Sequence, residues 1–146
     1  AGNNVKSRKI YDLYTDGASR GNPGKAGGGA ILYDESGHII SSAKDFLGVC
    51  TNNIAEYRAL ILGLEKALSK GCRCLRIFLD SELLVKQIHG SYRVKNENLA
   101  KLMKEVRKLL SFLDEYTIEH IERNKNKAAD RLANEAIDEA QTEEFD

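Results

Sequence analysis

Residues 10–33 read IYDLYTDGASRGNPGKAGGGAILY, and this stretch decides how the fold is interpreted. The apolar, tyrosine-rich run Ile10–Thr15 predicts a β-strand that ends at Asp16. Glycines and the only proline of the chain follow, so residues 17–29 are interpreted as a glycine-rich loop. A second strand is predicted over residues 29–33. The chain therefore opens with a strand, a loop and a strand.

The segments that follow predict a hairpin and then helices that alternate with strands. Asp34-Glu35-Ser36-Gly37 has the composition of a hairpin turn, which makes residues 29–33 and 39–46 antiparallel neighbours. Apolar spacing then predicts helices at 53–70, 82–89, 96–113 and 127–140 and strands at 75–79 and 116–122. The order βββαβααβα indicates an α/β fold, a five-stranded mixed sheet with its first three strands antiparallel, flanked by helices.

The charge of the chain is balanced in total and uneven in distribution. The 146 residues contain 22 Lys plus Arg and 22 Asp plus Glu, and a net charge of zero by itself argues against a partner as acidic as nucleic acid. Residues 135–146 hold six acids and no base, which leaves residues 1–134 at +6. We expect an N-terminal extension over residues 1–7, one domain over residues 8–141 and an acidic C-terminal tail over residues 142–146.

Several classes of protein are disfavoured. No apolar run approaches the roughly 20 residues that span a bilayer, and the first 25 residues lack the apolar stretch of a signal peptide. We therefore expect a cytoplasmic protein without a membrane partner. We also expect a monomer. Three cysteines make a disulfide framework improbable. Cys72 and Cys74 have no second Cys or His pair nearby, which disfavours a soft-metal site.

Four acidic residues stand at positions where ligand sites form. Asp16 and Asp80 each follow an apolar strand, and the carboxyl ends of strands gather ligand sites. Glu56 borders the apolar stripe of its helix, and Asp130 lies in the first turn of the last helix. Each alone has a structural explanation as a turn residue, a helix cap or a partner of the helix dipole. Together they would repel one another unless cations bridged them, and oxygen ligands suit Mg²⁺ or Mn²⁺.

Five short stretches carry a family signature. They are YTDGAS at 14–19, GNPG at 21–24, TNNIAEY at 51–57, LDS at 79–81 and NKAADRLA at 126–133. In order and spacing they resemble the successive motifs of type 1 ribonuclease H, over residues 8–140. The resemblance implies hydrolysis of the RNA strand of an RNA/DNA hybrid with two Mg²⁺ ions, or Mn²⁺ as a substitute, leaving 5′-phosphate and 3′-hydroxyl ends. It places the catalytic, metal-binding carboxylates on Asp16, Glu56, Asp80 and Asp130.

The same resemblance implies which residues bind the hybrid. Backbone groups of the Gly17–Gly21 loop, with Asn52 and Glu56, would recognise the ribose 2′-hydroxyl, which distinguishes RNA from DNA locally. Thr51 and Asn22 resemble residues that hold a phosphate of the DNA strand. Many members carry a histidine in the loop before the last aspartate, and here Arg123 is the substitute. The implied substrate-binding set is Gly17, Ala18, Ser19, Asn22, Thr51, Asn52, Asn53 and Arg123.

Residues 81–111 depart from the longer members of that family. Those members insert a basic handle in this region, whereas here residues 90–95 alone join the two helices. The segment still carries seven bases against three acids, which indicates either a second contact for phosphates or a solvated helix face. Two alternative functions stay open at this point. One is a catalytically idle hybrid-binding domain, and the other is a nuclease acting on DNA junctions or serving as a module of a polymerase.

Overall fold

A computed structural model describes residues 8–90 and 93–144 of the chain. Its elements follow the predicted order βββαβααβα, which is confirmed. The strands are β1 (Tyr11–Gly21), β2 (Gly24–Tyr33), β3 (Ile39–Cys50), β4 (Cys74–Leu79) and β5 (Glu115–His120). The helices are α1 (Asn52–Ser69), α2 (Glu82–Ile88), α3 (Glu97–Leu110) and α4 (Lys127–Glu144), and a 3₁₀ helix spans Arg123–Lys125.

The strands form one mixed sheet in the order β3-β2-β1-β4-β5, which confirms the predicted architecture. The first three strands are antiparallel, whereas β4 runs parallel to both β1 and β5. Pairing of β1 with β4 ends where Thr15 lies opposite Leu79. The next residues, Asp16 and Asp80, therefore sit next to each other at the carboxyl end of this parallel pair.

The predicted loop over residues 17–29 is wrong. β1 continues past Asp16 to Gly21, paired with β2, and β2 already begins at Gly24. Only Asn22 and Pro23, joined by a cis peptide bond, connect the two strands. Asp16 thus lies inside β1, just past the point where the pairing of β1 with β4 ends, and it is still paired with β2.

The glycines of this hairpin are explained by helices that lie against both faces of the sheet. A Cβ atom on Gly17 would overlap the backbone of Ala55 in α1. A Cβ atom on Gly29 would overlap the backbone of Ala129 in α4. Glycine permits this close approach of strand and helix backbones, so the glycines serve packing rather than turning.

The main hydrophobic core lies between the sheet and the pair α1–α3. Leu13 of β1, Leu60 of α1, Ile77 of β4 and Val106 of α3 are all fully buried there. The apolar stripe predicted for α1 faces this core, because its residue Leu64 is also fully buried. α4 covers the opposite face over β2 and β3. The two helical layers leave the carboxyl end of β1 and β4 open.

Three other elements end three or four residues from the predicted position. β3 runs on to Cys50 instead of ending at residue 46, and α3 ends at Leu110 instead of residue 113. α4 runs on to Glu144 instead of ending at residue 140, so the start of the predicted acidic tail is helical. Residues 145–146 and the predicted extension at 1–7 lie outside the described residues, and the domain boundaries stay predictions. Cys50, Cys72 and Cys74 are buried and free. Among the helices described, none is both long and apolar enough to cross a membrane.

Candidate functional site

Three carboxylates from three different elements converge where the parallel pairing of β1 with β4 ends. One carboxylate oxygen from each of Asp16, Glu56 and Asp80 lies within 4.8 Å of the other two. Asp16 is supplied by β1, Glu56 by the start of α1 and Asp80 by the residue that follows β4. Asp16 is buried, and the other two are half-buried. A sequence pattern only suggested this convergence, and the tertiary structure produces it.

Glu56 is positioned by the close contact between β1 and α1. The backbone N–H of Gly17 donates a hydrogen bond to Oε1 of Glu56. This bond requires β1 to approach α1 without an intervening side chain, a condition that glycine at position 17 satisfies. The orientation of the carboxylate therefore depends on backbone packing as well as on its own rotamer.

Asp80 is positioned by an asparagine to which sequence reasoning gave no role. Asn126, just before α4, is 1% exposed. Its Nδ2 group donates to the backbone oxygen of Thr15 and to Oδ2 of Asp80, both at 2.9 Å. The Oδ1 atom of Asn126 is buried and, within the described part of the chain, unpaired. In the sequence, Asn126 could have been recognised from its place in the stretch 126–133, four residues before Asp130.

Burial and mutual repulsion perturb the ionisation of the cluster. The pKa of Asp16 is raised, first by burial and then by the charges of Glu56 and Asp80. Burial also raises the pKa of Glu56, although hydrogen bonds from Asp16 and the Gly17 N–H, together with the Arg123 charge, partly oppose the shift. Three ionised carboxylates at this spacing are therefore unfavourable unless a proton or a cation is bound.

The donor set fits a hard divalent cation. Carboxylate oxygens are the ligands that Mg²⁺ and Mn²⁺ prefer, and the cluster supplies three of them within one small volume. A cation would also remove the repulsion that raises the pKa of Asp16. Asp16, Glu56 and Asp80 are thus able to hold such an ion.

The cluster lies at the bottom of an open cleft of about 700 Å³. Every residue that the sequence predicts for the site lines this cleft, including Asp130. Asp130 is not one of the three mutually close carboxylates, but it is adjacent to Asp16, because a hydrogen bond between their carboxyl groups contributes to the raised pKa of Asp16. The cleft also contains residues that sequence reasoning did not select, namely Ser81, Leu83, Asn96 and Leu99.

Those additional residues come from the starts of α2 and α3. Ser81 and Asn96 are the N-caps of the two helices, and their side chains accept hydrogen bonds from backbone N–H groups. Capping residues were recognisable in the sequence, but their distance from Asp16 was not. The wall of the cleft opposite the hairpin is therefore a product of tertiary packing.

Hydrogen bonds preorganise the hairpin side of the cleft. The Ser19 N–H donates to Oδ1 of Asn52, and the Asn52 N–H donates to Oδ1 of Asn22, each at 3.1 Å. Thr51 caps α1 by accepting a hydrogen bond from Ile54 N–H at 3.2 Å. These contacts tie the β1–β2 turn to the start of α1. The predicted substrate-binding residues consequently form one connected surface.

Comparisons with known proteins find a family model and relatives that match most of this chain. A family model described as reverse transcriptase-like matches residues 14–136. A bifunctional protein of Mycobacterium tuberculosis is 41% identical over 129 residues, which cover 88% of this chain and 35% of that protein. The chain thus spans about a third of the length of this curated relative.

Two solved structures are similar along nearly their whole length. The crystal structure of RNase H1 from the halophilic archaeon Halobacterium salinarum has a TM-score of 0.87 and 41% identity, covering 89% of this chain and 98% of that one. The crystal structure of LC11-RNase H1 in complex with an RNA/DNA hybrid has a TM-score of 0.85 and 38% identity, covering 90% and 99%. The alignments therefore include both the sheet and the cleft.

Proposed function

Because this chain belongs to the ribonuclease H1 family, we propose that it is an endonuclease that hydrolyses the RNA strand of RNA/DNA hybrids. The observation that carries the proposal is the cleft in which Asp16, Glu56 and Asp80 converge and which every predicted substrate-binding residue lines. A similar protein has been solved with an RNA/DNA hybrid. The products would carry 5′-phosphate and 3′-hydroxyl ends.

The carboxylates would hold two divalent cations, with Mg²⁺ the expected metal and Mn²⁺ a substitute. When bound, such ions activate water and neutralise the charge that develops during in-line displacement at phosphorus. Asp16 is central to the cluster and suits a shared ligand, with Glu56 and Asp80 beside it. Asp130, which lines the same cleft and lies next to Asp16, is the ligand proposed for the other ion. The Gly17 N–H and the Asn126 amide keep two of these carboxylates oriented.

Selection of RNA over DNA would depend on the hairpin and the start of α1. The ribose 2′-hydroxyl both donates and accepts hydrogen bonds, so it needs polar partners at a fixed distance. Backbone groups of residues 17–19, with the side chains of Asn52 and Glu56, provide such partners along one wall. Their mutual hydrogen bonds hold them in place before substrate arrives.

The DNA strand would be held at the same wall by Asn22 and Thr51. Oδ1 of Asn22 is engaged by the Asn52 N–H, which leaves its Nδ2 group as the donor for a phosphate. Thr51 accepts from Ile54 N–H, so its hydroxyl hydrogen is available to a phosphate oxygen. Asn53, in the first turn of α1, and Arg123, near the carboxylates, complete the proposed contacts.

A second set of contacts with phosphates would lie along α3. Asn96 and Leu99 at its start line the cleft, and Lys101, Lys104 and Lys108 are exposed farther along the helix. Basic side chains that neutralise phosphates release counterions, so hybrid binding should weaken as salt rises.

A cleavage assay with labelled substrates tests this function. An RNA/DNA hybrid is incubated with Mg²⁺, with Mn²⁺ or with EDTA, and single-stranded RNA, double-stranded RNA and all-DNA duplex serve as controls. We expect metal-dependent cleavage of the RNA strand in the hybrid alone. A chimeric strand without 2′-hydroxyls at the cleavage position should resist cleavage.

Two results would contradict the proposal. Binding of the hybrid without cleavage under every metal condition would indicate a catalytically idle binding domain. Equal cleavage of all-DNA substrates, including four-way junctions, would indicate a nuclease of the junction-processing class.

A further inference from the structure

A chain of polar contacts runs from Asp130 in the cleft to the end of β1. The Nδ2 group of Asn134, one helical turn farther along α4, donates to the backbone oxygen of Asp130 at 3.0 Å and to its Oδ1 atom at 3.3 Å. The Oδ1 atom of Asn134 accepts from Nη2 of Arg20 at 3.2 Å. Arg20 in turn pairs with Asp138 at 2.7 Å.

The chemistry of these groups determines which way the Asn134 amide points. A guanidinium group only donates hydrogen bonds, so Arg20 requires the amide oxygen of Asn134 on its side. The amide NH₂ group must then face the preceding turn, where Asp130 offers two acceptors. Arg20 as a donor and Asp130 as an acceptor therefore favour the same orientation of the Asn134 amide.

The geometry connects this chain of contacts to the carboxylate cluster. Asp16 and Arg20 are both on β1, separated by four residues, so their side chains emerge on the same face of the sheet. Asp130 and Asn134 lie on α4, which covers that face. The contact between Arg20 and Asn134 therefore fixes α4 against the strand that supplies Asp16.

We propose that Asn134 is a positioning residue that orients the Asp130 carboxylate for cation binding, and that Arg20 sets the orientation of the Asn134 amide. The inference rests on the proposed role of Asp130 as a ligand. Asp130 is the one carboxylate outside the mutually close group, so its orientation depends in addition on its own contact with Asn134. Partners that orient a ligand typically change metal affinity by about 10- to 100-fold when removed.

Calorimetric titration of the metal-free protein with Mn²⁺, without nucleic acid, tests the proposal. We expect Asn134→Ala and Asn134→Leu to weaken Mn²⁺ binding by about tenfold. Asn134→Leu is the sharper variant, because it keeps the approximate size of the side chain and loses the donor to Asp130 without adding a negative charge that would itself attract Mn²⁺. Arg20→Ala should give a smaller loss in the same direction.

A matched control and a double-mutant cycle separate positioning from general packing. Lys44→Ala breaks the ion pairs between β3 and α4, Lys44 to Glu139 at 2.6 Å and to Glu135 at 3.4 Å, and should leave Mn²⁺ affinity unchanged. In an Asp130→Asn background, Asn134→Ala should have no further effect, because the residue acts through Asp130. The proposal is overturned if Asn134→Leu binds Mn²⁺ like the unmodified protein, or if the two losses add.

A measurement on the unmodified protein tests the proposal even if a variant fails to fold. The side-chain amide of Asn134 should shift in ¹⁵N-resolved NMR spectra when Mg²⁺ is added, more than the exposed amide of Asn124. Equal shifts would contradict the proposal. Because these readouts involve metal alone, failure of hybrid cleavage would overturn the proposed function without deciding the role of Asn134.

Discussion

Nδ2 of Asn126 lies 2.9 Å from Oδ2 of Asp80, and the same group donates to the backbone oxygen of Thr15. One buried amide therefore joins β1 at the point where its pairing with β4 ends, the residue after β4 and the start of α4. The carboxyl cluster depends on this junction, because it holds Asp80 beside Asp16.

Asn126→Ala should reduce both stability and cleavage. The change leaves the Thr15 oxygen buried without a donor and frees the Asp80 carboxylate, at a cost of about 1–3 kcal/mol in the free energy of unfolding. Urea denaturation measures the first effect and hybrid cleavage the second. Asn124→Ala, at an exposed position nearby, is the control and should match the unmodified protein. Unchanged cleavage by Asn126→Ala would refute the role assigned to the amide.

Asp80→Asn should abolish cleavage while hybrid binding is kept. The substitution removes a metal-binding charge but leaves the hairpin wall and the lysines of α3 unchanged. Cleavage is followed with labelled hybrid, and binding by fluorescence anisotropy at equal ionic strength. Normal turnover by this variant would contradict the proposed mechanism, whereas loss of binding would show that Asp80 supports the substrate surface as well.

The metal-free protein should lose stability as the pH rises. Burial and neighbouring carboxylates raise the pKa of Asp16 and of Glu56, so the folded state retains protons that the unfolded state releases above about pH 4. Stability contributed by these protons is present at acidic pH and is lost as the pH rises toward the raised pKa values. Mg²⁺ should therefore raise the melting temperature more at about pH 8 than at about pH 6.

Asp16→Asn is the control for this pH dependence. Without the Asp16 charge, the difference in melting temperature between the two pH values should shrink, and so should the effect of Mg²⁺. A variant with the same pH slope as the unmodified protein would place the titrating groups elsewhere in the chain.

Gly17→Ala should destabilise the protein and impair cleavage. The added methyl group would overlap the backbone of Ala55 and push α1 away from β1, which costs about 1–3 kcal/mol for an overpacked site. The hydrogen bond from the residue 17 N–H to Glu56 would be lost with it. Urea denaturation and hybrid cleavage measure the two effects. Ser42→Ala, on an exposed position of β3, is the control, and equal stability of both variants would show that the contact can relax.

Removal of Thr142–Asp146 should leave cleavage unchanged. The acids of α4 that pair with the sheet precede this segment, since Asp138 contacts Arg20 and Glu139 contacts Lys44. The turnover number and the KM for hybrid are compared between the full and shortened chains. A large fall in turnover would show that the end of α4 contributes to the working fold.

Much of the fold was predictable because its signals are local. Alternating and helical apolar spacing specifies element type, so the order βββαβααβα and the buried stripe of α1 followed from the sequence. The loop predicted for the glycine-rich segment was wrong for the same reason. In a sequence a glycine indicates a turn, whereas here Gly17 and Gly29 are required by close contacts with helices that are distant in sequence.

The sequence by itself determined the chemistry available to this protein: four candidate carboxylates, the polar residues of the hairpin and helix starts, and the family motifs that contain them. Only the tertiary structure decided that Asp16, Glu56 and Asp80 meet, that Asn126 holds Asp80 and that Arg20 reaches Asn134. The reason is physical, because local patterns specify which face of an element is buried. Distances between side chains from different elements are set by how closely those elements pack.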